Sequence, residues 1–251
     1  YVSLEPCFKK NSCCAKAIVK AGIKKVFISS LDPNPNIKGK GIDFLKKQKI
    51  KVFHSLKSTD RFKIINKFFY TRKTLNRPFI TLKIAISKNG FSKSPTHKNI
   101  TSDQTQYFMH QLRLSHDAIA VGMNTVLDDK PKLTCRLQGV SKNISKLIFS
   151  NKEIKFKNYK LIIVDYKKTV PENFSLFKKL KTQSILIEGG LNTFKYFLNC
   201  NLFDEVIVCQ SNMTIKNASK KYFLSMKSIT NNLILKSSLK YGEDMIYKFT
   251  N

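Results

Sequence analysis

Ile185-Leu186-Ile187-Glu188-Gly189-Gly190-Leu191-Asn192-Thr193 reads as a buried strand that ends in a glycine pair and opens directly into a helix. A short apolar run bounded by glycines suits a strand covered on both faces, as in a parallel sheet. Glycines let the backbone approach a ligand, and the free amides of a helix start bind phosphate. Glu188 falls at the carboxyl end of that strand, the rim where open α/β sheets hold their ligands.

The same alternation continues outward. Downstream the pattern predicts a helix over 191–199 and strands around 205–209, 233–237 and 244–249. Upstream it predicts strands over 79–87, 118–122, 147–150 and 161–165, with a helix over 102–114. Nearer the start, a helix over 13–21 stops at Gly22, a strand covers 25–30, and Asp32-Pro33-Asn34-Pro35 breaks the chain. Gly39 and Gly41 mark a loop before a helix over 42–48, a strand over 50–54 and a basic, aromatic helix over 60–73. Leu75-Asn76-Arg77-Pro78 reads as a junction, because the residue before a proline is pushed out of helical geometry. The expectation is two α/β domains, 1–75 and 76–251, each with a parallel or mostly parallel sheet.

The 251 residues are 42% hydrophobic, which excludes global disorder, and no apolar run approaches the roughly 18 to 20 residues of a bilayer span. Cys7, Cys13, Cys14, Cys135, Cys200 and Cys209 are too unevenly placed for a disulfide scaffold, and no signal-peptide pattern precedes them, so a cytoplasmic protein is expected. The chain opens on Tyr1-Val2-Ser3-Leu4, which is already strand-like, and a preceding segment is expected to be missing.

Lys and Arg total 46 against 16 Asp and Glu, a net charge of +30. That balance invites a nucleic-acid reading. Its distribution opposes one: lysine pairs recur along the whole chain, and no helix-turn-helix, zinc-finger or aromatic RNA-binding signature accompanies them. Codon bias in an AT-rich genome accounts for the Lys, Ile, Asn and Phe. Against that background the scarce arginines, Arg113 and Arg136 among them, stand out as candidates for bidentate contacts to phosphate or carboxylate.

Two further stretches carry chemistry. Leu4-Glu5-Pro6-Cys7 followed by Cys13-Cys14 at a helix start places two thiolates where they can share one zinc. Buried free cysteines are the plain alternative. The stretch from Val121-Gly122-Met123-Asn124-Thr125 through Asp128-Asp129 to Leu133-Thr134-Cys135-Arg136 reads as a strand running into a loop dense with hydroxyl, carboxylate and arginine groups. Turn-forming and capping roles explain Asn124, Thr125 and Asp128, but not Arg136.

Taken in order, YVSLEPC, CAKAIVKAGIKKV, DPNP with GKG, NKFF, RPFITLKIAIS with Asn89-Gly90, ITS, QLRLSHDAIAVGMNTVLDDKPKLTCR and ILIEGGLNTF resemble the bifunctional deaminase/reductase of riboflavin biosynthesis, across essentially the whole chain. The resemblance implies that residues 1–75 are the C-terminal part of a cytidine-deaminase-like zinc domain and that residues 76–251 are a reductase domain with a dihydrofolate-reductase-like fold. It implies NADPH as cofactor, reduction of the ribose of 5-amino-6-(5-phosphoribosylamino)uracil to the ribityl form, a phosphorylated aminopyrimidine riboside as the partner, and a homodimer.

Carried over by position, Cys7 and Cys14 match the zinc thiolates. Ala85, Thr125, Asp129, Asn151 and the run Gly190, Leu191, Asn192, Thr193, Phe194, Lys195 and Tyr196 match cofactor contacts. Lys83, Asp129 and Glu188 match polar groups around the ribose, and His97, Arg113, Leu133, Arg136 and Glu188 match substrate-binding positions. Departures are His97 where serine is frequent, Asn99 where tryptophan is common, and Asn89 in place of aspartate. None of His54, His97, His110 or His116 begins the His-x-Glu segment that deamination needs, so that activity is expected only with an added upstream segment. A zinc-dependent pyrimidine deaminase and a basic nucleic-acid-binding module stand as alternative readings.

Overall fold

The computed structural model describes residues 1–8, 13–140, 142–153, 159–164, 177–231 and 233–251. It divides into two compact units, Tyr1–Arg77 and Pro78–Asn251.

In the first unit, helix α1 (Cys14–Lys20) leads to strand β1 (Lys25–Ile28), helix α2 (Lys40–Lys47), strand β2 (Lys51–His54) and helices α3 (Leu56–Ile65) and α4 (Lys67–Leu75). β1 and β2 pair in parallel, with Val26 opposite Val52. The helix stripes bury Ala15, Ile42 and Leu45 against Val26, Ile28 and Ile50. The loop entering α2 is organised by Glu5, whose buried carboxylate accepts the backbone N–H groups of Asp32, Gly39 and Gly41 at 3.2, 3.0 and 3.1 Å. Gly41 is obligatory there, since a Cβ would stand 1.9 Å from the Pro6 carbonyl oxygen.

The second unit adds strand β3 (Phe79–Ile86), helix α5 (Asp103–Ser115), strand β4 (Ala118–Gly122), helix α6 (Met123–Asp129), strands β5 (Ser145–Ser150), β6 (Lys160–Ile163) and β7 (Ser184–Ile187), helix α7 (Leu191–Asn199), strand β8 (Glu205–Gln210), helix α8 (Met226–Thr230) and strands β9 (Ile234–Tyr241) and β10 (Asp244–Thr250). Its eight-stranded sheet runs β6-β5-β4-β7-β3-β8-β10-β9. The strands from β6 to β8 are parallel, and β10 and β9 close the row antiparallel. One face of β3, carrying Ile80, Leu82, Ile84 and Ile86, packs with Ile185, Ile187, Phe194 and Phe197 in the main core. The opposite face carries Thr81, Lys83 and Ala85 by strand alternation. On that side Met109 of α5 packs with Ile207, Cys209 and Ile246.

α5 is fixed at both ends. Ser102 caps it by accepting the Thr105 N–H, and buried Asp244 accepts both the N–H and the hydroxyl of Ser102. At the other end Lys142 donates to the Leu114 and His116 carbonyls, and His116 sits buried between the Leu112 carbonyl and the Thr81 hydroxyl.

Three expectations from the pattern change. The helix over 60–73 is two helices, because Asn66 takes φ −107 and ψ 34 and turns both its N–H and its amide onto the Phe62 carbonyl. Residues 123–129, expected as loop, form α6, since Val126 packs against Val121 and Ile148 and packing outweighs the modest helix propensity of Asn, Thr and Asp. Strand β9 runs beyond 237 to Tyr241, and the sheet, mostly parallel as expected, ends in the antiparallel pair β10–β9. Within 161–165, Asp165 lies outside the described residues.

Candidate active site

Glu188 follows the last residue of β7. The β3–β7 register sets Leu82 opposite Ile187, so Lys83 and Glu188 come next on the two strands and share the α5 face. From α5, Arg113 reaches this carboxylate with two parallel bonds, Nε to Oε1 and Nη2 to Oε2, each 2.7 Å. Its remaining Nη1 donates to the Thr134 carbonyl at 3.2 Å. Burial alone would raise the Glu188 carboxyl, but the Arg113 hydrogen bonds and charge, with Lys83 and His110 behind them, hold it below its ordinary 4.5. Burial likewise works against the Arg113 charge and is outweighed by Glu188, so the guanidinium stays protonated. The result is a desolvated, ionised pair at the carboxyl end of a central strand.

The start of α6 and the turn after β7 meet beside it. Gly190 donates its N–H to Thr125 Oγ1 at 3.1 Å, and a Cβ on Gly190 would stand 3.1 Å from the same oxygen. Gly190, at the N-cap of α7, has no side chain to cap it, and among the described residues the N–H groups of the first turn are open to an anion. At the end of α6, Asp128 and Asp129 face Lys93 at 3.5 and 3.6 Å, and Lys93 also lies over the Tyr222 ring.

The structure therefore gathers Lys83, Glu188 and Arg113 into one cluster, and joins Thr125 to Gly190. The other expected positions are placed as follows. Arg113, expected with Arg136 at the phosphate and pyrimidine end of the substrate, makes its bidentate contact with the Glu188 carboxylate and a third bond to the Thr134 carbonyl, whereas Arg136 is exposed and its guanidinium makes no hydrogen bond or ion pair among the described residues. Leu133 is buried with φ +46, its side chain packed with Val121 and Val126 in the core. Leu191, Thr193 and Phe194 are likewise buried, while Gly190, Asn192 and Lys195 are exposed and Tyr196 is half-buried against the core. Ala85 packs against the Met109 cluster. Asn151 is exposed just beyond β5. His97 is exposed, and its hydrogen bonds lie within its own turn, to Ser94 and Thr96.

Sequence reasoning passed over His110. Its signal was the spacing: three residues before Arg113 on one helix puts both side chains on one face. Cys209 is a packing thiol, pushed up to about 11 by burial.

In the first unit the Sγ atoms of Cys7 and Cys14 lie 3.4 Å apart, and the Cys7 thiol raises that of Cys14. Cys13 instead accepts the Lys16 N–H and caps α1. Two adjacent thiols are half of a tetrahedral set. Among the described residues no group of three or more His, Cys, Asp or Glu is placed to hold a metal. Zinc therefore does not fit the described residues as a complete site.

A mixed α/β sheet of this strand order, with its polar groups collected at the carboxyl rim, sets the second unit among the reductase domains of dihydrofolate-reductase-like fold. The correspondence is closer than class. Residues 78–247 match the RibD C-terminal domain, and the chain belongs to the RibD family. It is 29% identical to the riboflavin biosynthesis protein RibD of Aquifex aeolicus over 99% of this chain and 79% of that protein. Against RibD of Buchnera aphidicola the identity is 31%, over 89% of this chain and 72% of the relative. A solved deaminase/reductase from Thermotoga maritima superposes with a TM-score of 0.81 at 26% identity, covering 99% of this chain and 78% of that one.

Proposed function

We propose that the second unit catalyses the NADPH-dependent reduction of the ribose of 5-amino-6-(5-phosphoribosylamino)uracil to its open ribityl form, a step of riboflavin biosynthesis. The observation that carries this reading is the Arg113–Glu188 pair, two bonds of 2.7 Å at the carboxyl end of β7 with Lys83 on the same face. The name of the Thermotoga maritima relative, a deaminase and 5-amino-6-(5-phosphoribosylamino)uracil reductase, supports the same chemistry.

The dinucleotide fits the close approach of Gly190 to Thr125 and the uncapped start of α7, with Asp129 and Asn151 on neighbouring rims. When bound it supplies a hydride. The chain's own groups do the rest: Lys83 offers a donor to a ribose oxygen, and Glu188, kept ionised and oriented by Arg113, accepts from a ribose hydroxyl. Arg136 presents a fork to the phosphate from the exposed segment beyond Leu133. Lys93 steadies the Asp128–Asp129 corner.

Consumption of NADPH by the purified chain, given the aminouracil ribotide and separately its undeaminated diaminopyrimidine precursor, tests the assignment. Turnover with the first substrate alone is expected. Failure with both, in a protein shown to be folded, overturns it.

A further inference from the structure

We infer that His110 is a positioning residue whose neutral imidazole fastens the 134–136 segment to α5 and so sets where the Arg136 guanidinium stands. This rests on the reductase reading for its kinetic consequence, though not for its structural one.

Three consecutive residues of an otherwise irregular segment are each held by α5. The Thr134 carbonyl accepts from Arg113 Nη1 at 3.2 Å, the Cys135 thiol donates to the His110 carbonyl at 3.4 Å, and the Arg136 N–H donates to His110 Nδ1 at 3.2 Å. Leu133, immediately before them, is anchored in the core with φ +46. Arg136 is thus delivered from a short, pinned piece of backbone while its own side chain stays exposed.

Of these three ties, only the one to Arg136 depends on protonation. Nδ1 accepts a hydrogen bond only while it carries a lone pair, so the ring must be neutral. A protonated ring would turn an N–H toward the Arg136 N–H and add a cation to a crowded place. The groups facing His110 are Arg113 from its own helix, Arg136 and the Thr134 carbonyl from the segment, and Glu188 from the end of β7. Burial and the two arginines favour the neutral ring, Glu188 and Thr134 oppose them, and the balance lies below the ordinary 6.5. The tie therefore holds at neutral pH and loosens as acid protonates the ring.

The test uses wild type, His110→Asn, whose Oδ1 takes the place of Nδ1 and does not titrate, and His110→Leu. The first readout is the amide exchange of Arg136 followed by NMR and corrected for intrinsic rates, which needs no substrate. Wild type is expected to keep protection at neutral pH and lose it as pH falls below the ordinary imidazole range, the Asn variant to keep it, and the Leu variant to lack it throughout. The second is the pH dependence of KM and kcat for the aminouracil ribotide. The substrate phosphate itself titrates in this range, so the comparison between wild type and the Asn variant isolates the ring. KM is expected to climb more steeply with acid in wild type than in His110→Asn, and to rise about two- to tenfold at all pH values in His110→Leu, with kcat less affected.

Equal Arg136 protection in wild type and His110→Leu overturns the inference. So does a KM that falls as the ring protonates, which would make His110 a direct anion ligand. Absence of turnover in wild type overturns the reductase reading instead, and the exchange data still decide for or against His110.

Discussion

Arg113 and Arg136 look alike in the sequence and differ in what they touch, which separates the effects of removing them. Arg113→Ala strips the largely buried Glu188 carboxylate of both its 2.7 Å bonds, leaving only the weaker help of Lys83 and His110, and is expected to cost about 3 kcal/mol of stability, read by urea unfolding. Arg136→Ala is expected to leave unfolding unchanged within about 0.5 kcal/mol and to raise KM for the phosphorylated substrate. The pH dependence has a definite sign. The Glu188 carboxyl is held below 4.5 in the folded state, so its contribution is complete above 4.5 and fades as pH falls through the folded value. That acid limb should be missing from Arg113→Ala. A second residue-scale outcome concerns Asn89, where the family resemblance leads one to expect aspartate. Its Oδ1 accepts from the Ser87 hydroxyl and the Ile215 N–H, while its Nδ2 donates to the Ile215 carbonyl at 2.8 Å. Asn89→Asp sets a carboxylate against that carbonyl and should destabilise by about 1 to 3 kcal/mol in thermal melts. Sequence made Lys83, Glu188 and the arginines visible as unusual or well-placed residue types. It did not reveal who pairs with whom, because Arg113 meets Glu188 across 75 positions of chain and only the packing of α5 on the sheet brings them together.

Among the elements, those with strong periodicity or glycine punctuation were legible: β4 and α7 fall where the pattern put them. Where a side chain overrides a pattern, reading failed. Asn66 interrupts a continuous helical stretch by turning back on Phe62, and α6 forms from residues of modest propensity because Val126 has a core to enter. Gly39 and Gly41 signalled a loop, but not why Gly41 has no alternative. Gly41→Ala brings a methyl against the Pro6 carbonyl and disturbs the amides bound by Glu5, so a loss of about 1 to 3 kcal/mol is expected in the first unit. Loss of hydrogen-exchange protection at the Asp32, Gly39 and Gly41 amides, with β3 and β8 unaffected, would localise the effect.

For the whole molecule, a net charge of +30 is dispersed over the chain, and self-repulsion opposes the compact state. Raising NaCl from about 10 to 150 mM shortens the screening length to about 8 Å and should raise the melting temperature. A fall would mean that specific surface ion pairs outweigh the repulsion. The sheet is mostly parallel, as the alternation of strands and helices signals, but which strands form its antiparallel edge was not legible, because nothing local in β9 or β10 shows that they return along it.

The fork between Arg113 and Glu188 also bears on how this sequence is free to change. Lysine fills nearly all cationic positions of this chain, yet a lysine at 113 would replace two bonds of 2.7 Å and a third to Thr134 with a single ammonium. Exchange of Glu188 alone strands the guanidinium in the same way. Neither codon can drift without the other, so the pair is a fixed point around which the surface is at liberty to be rewritten.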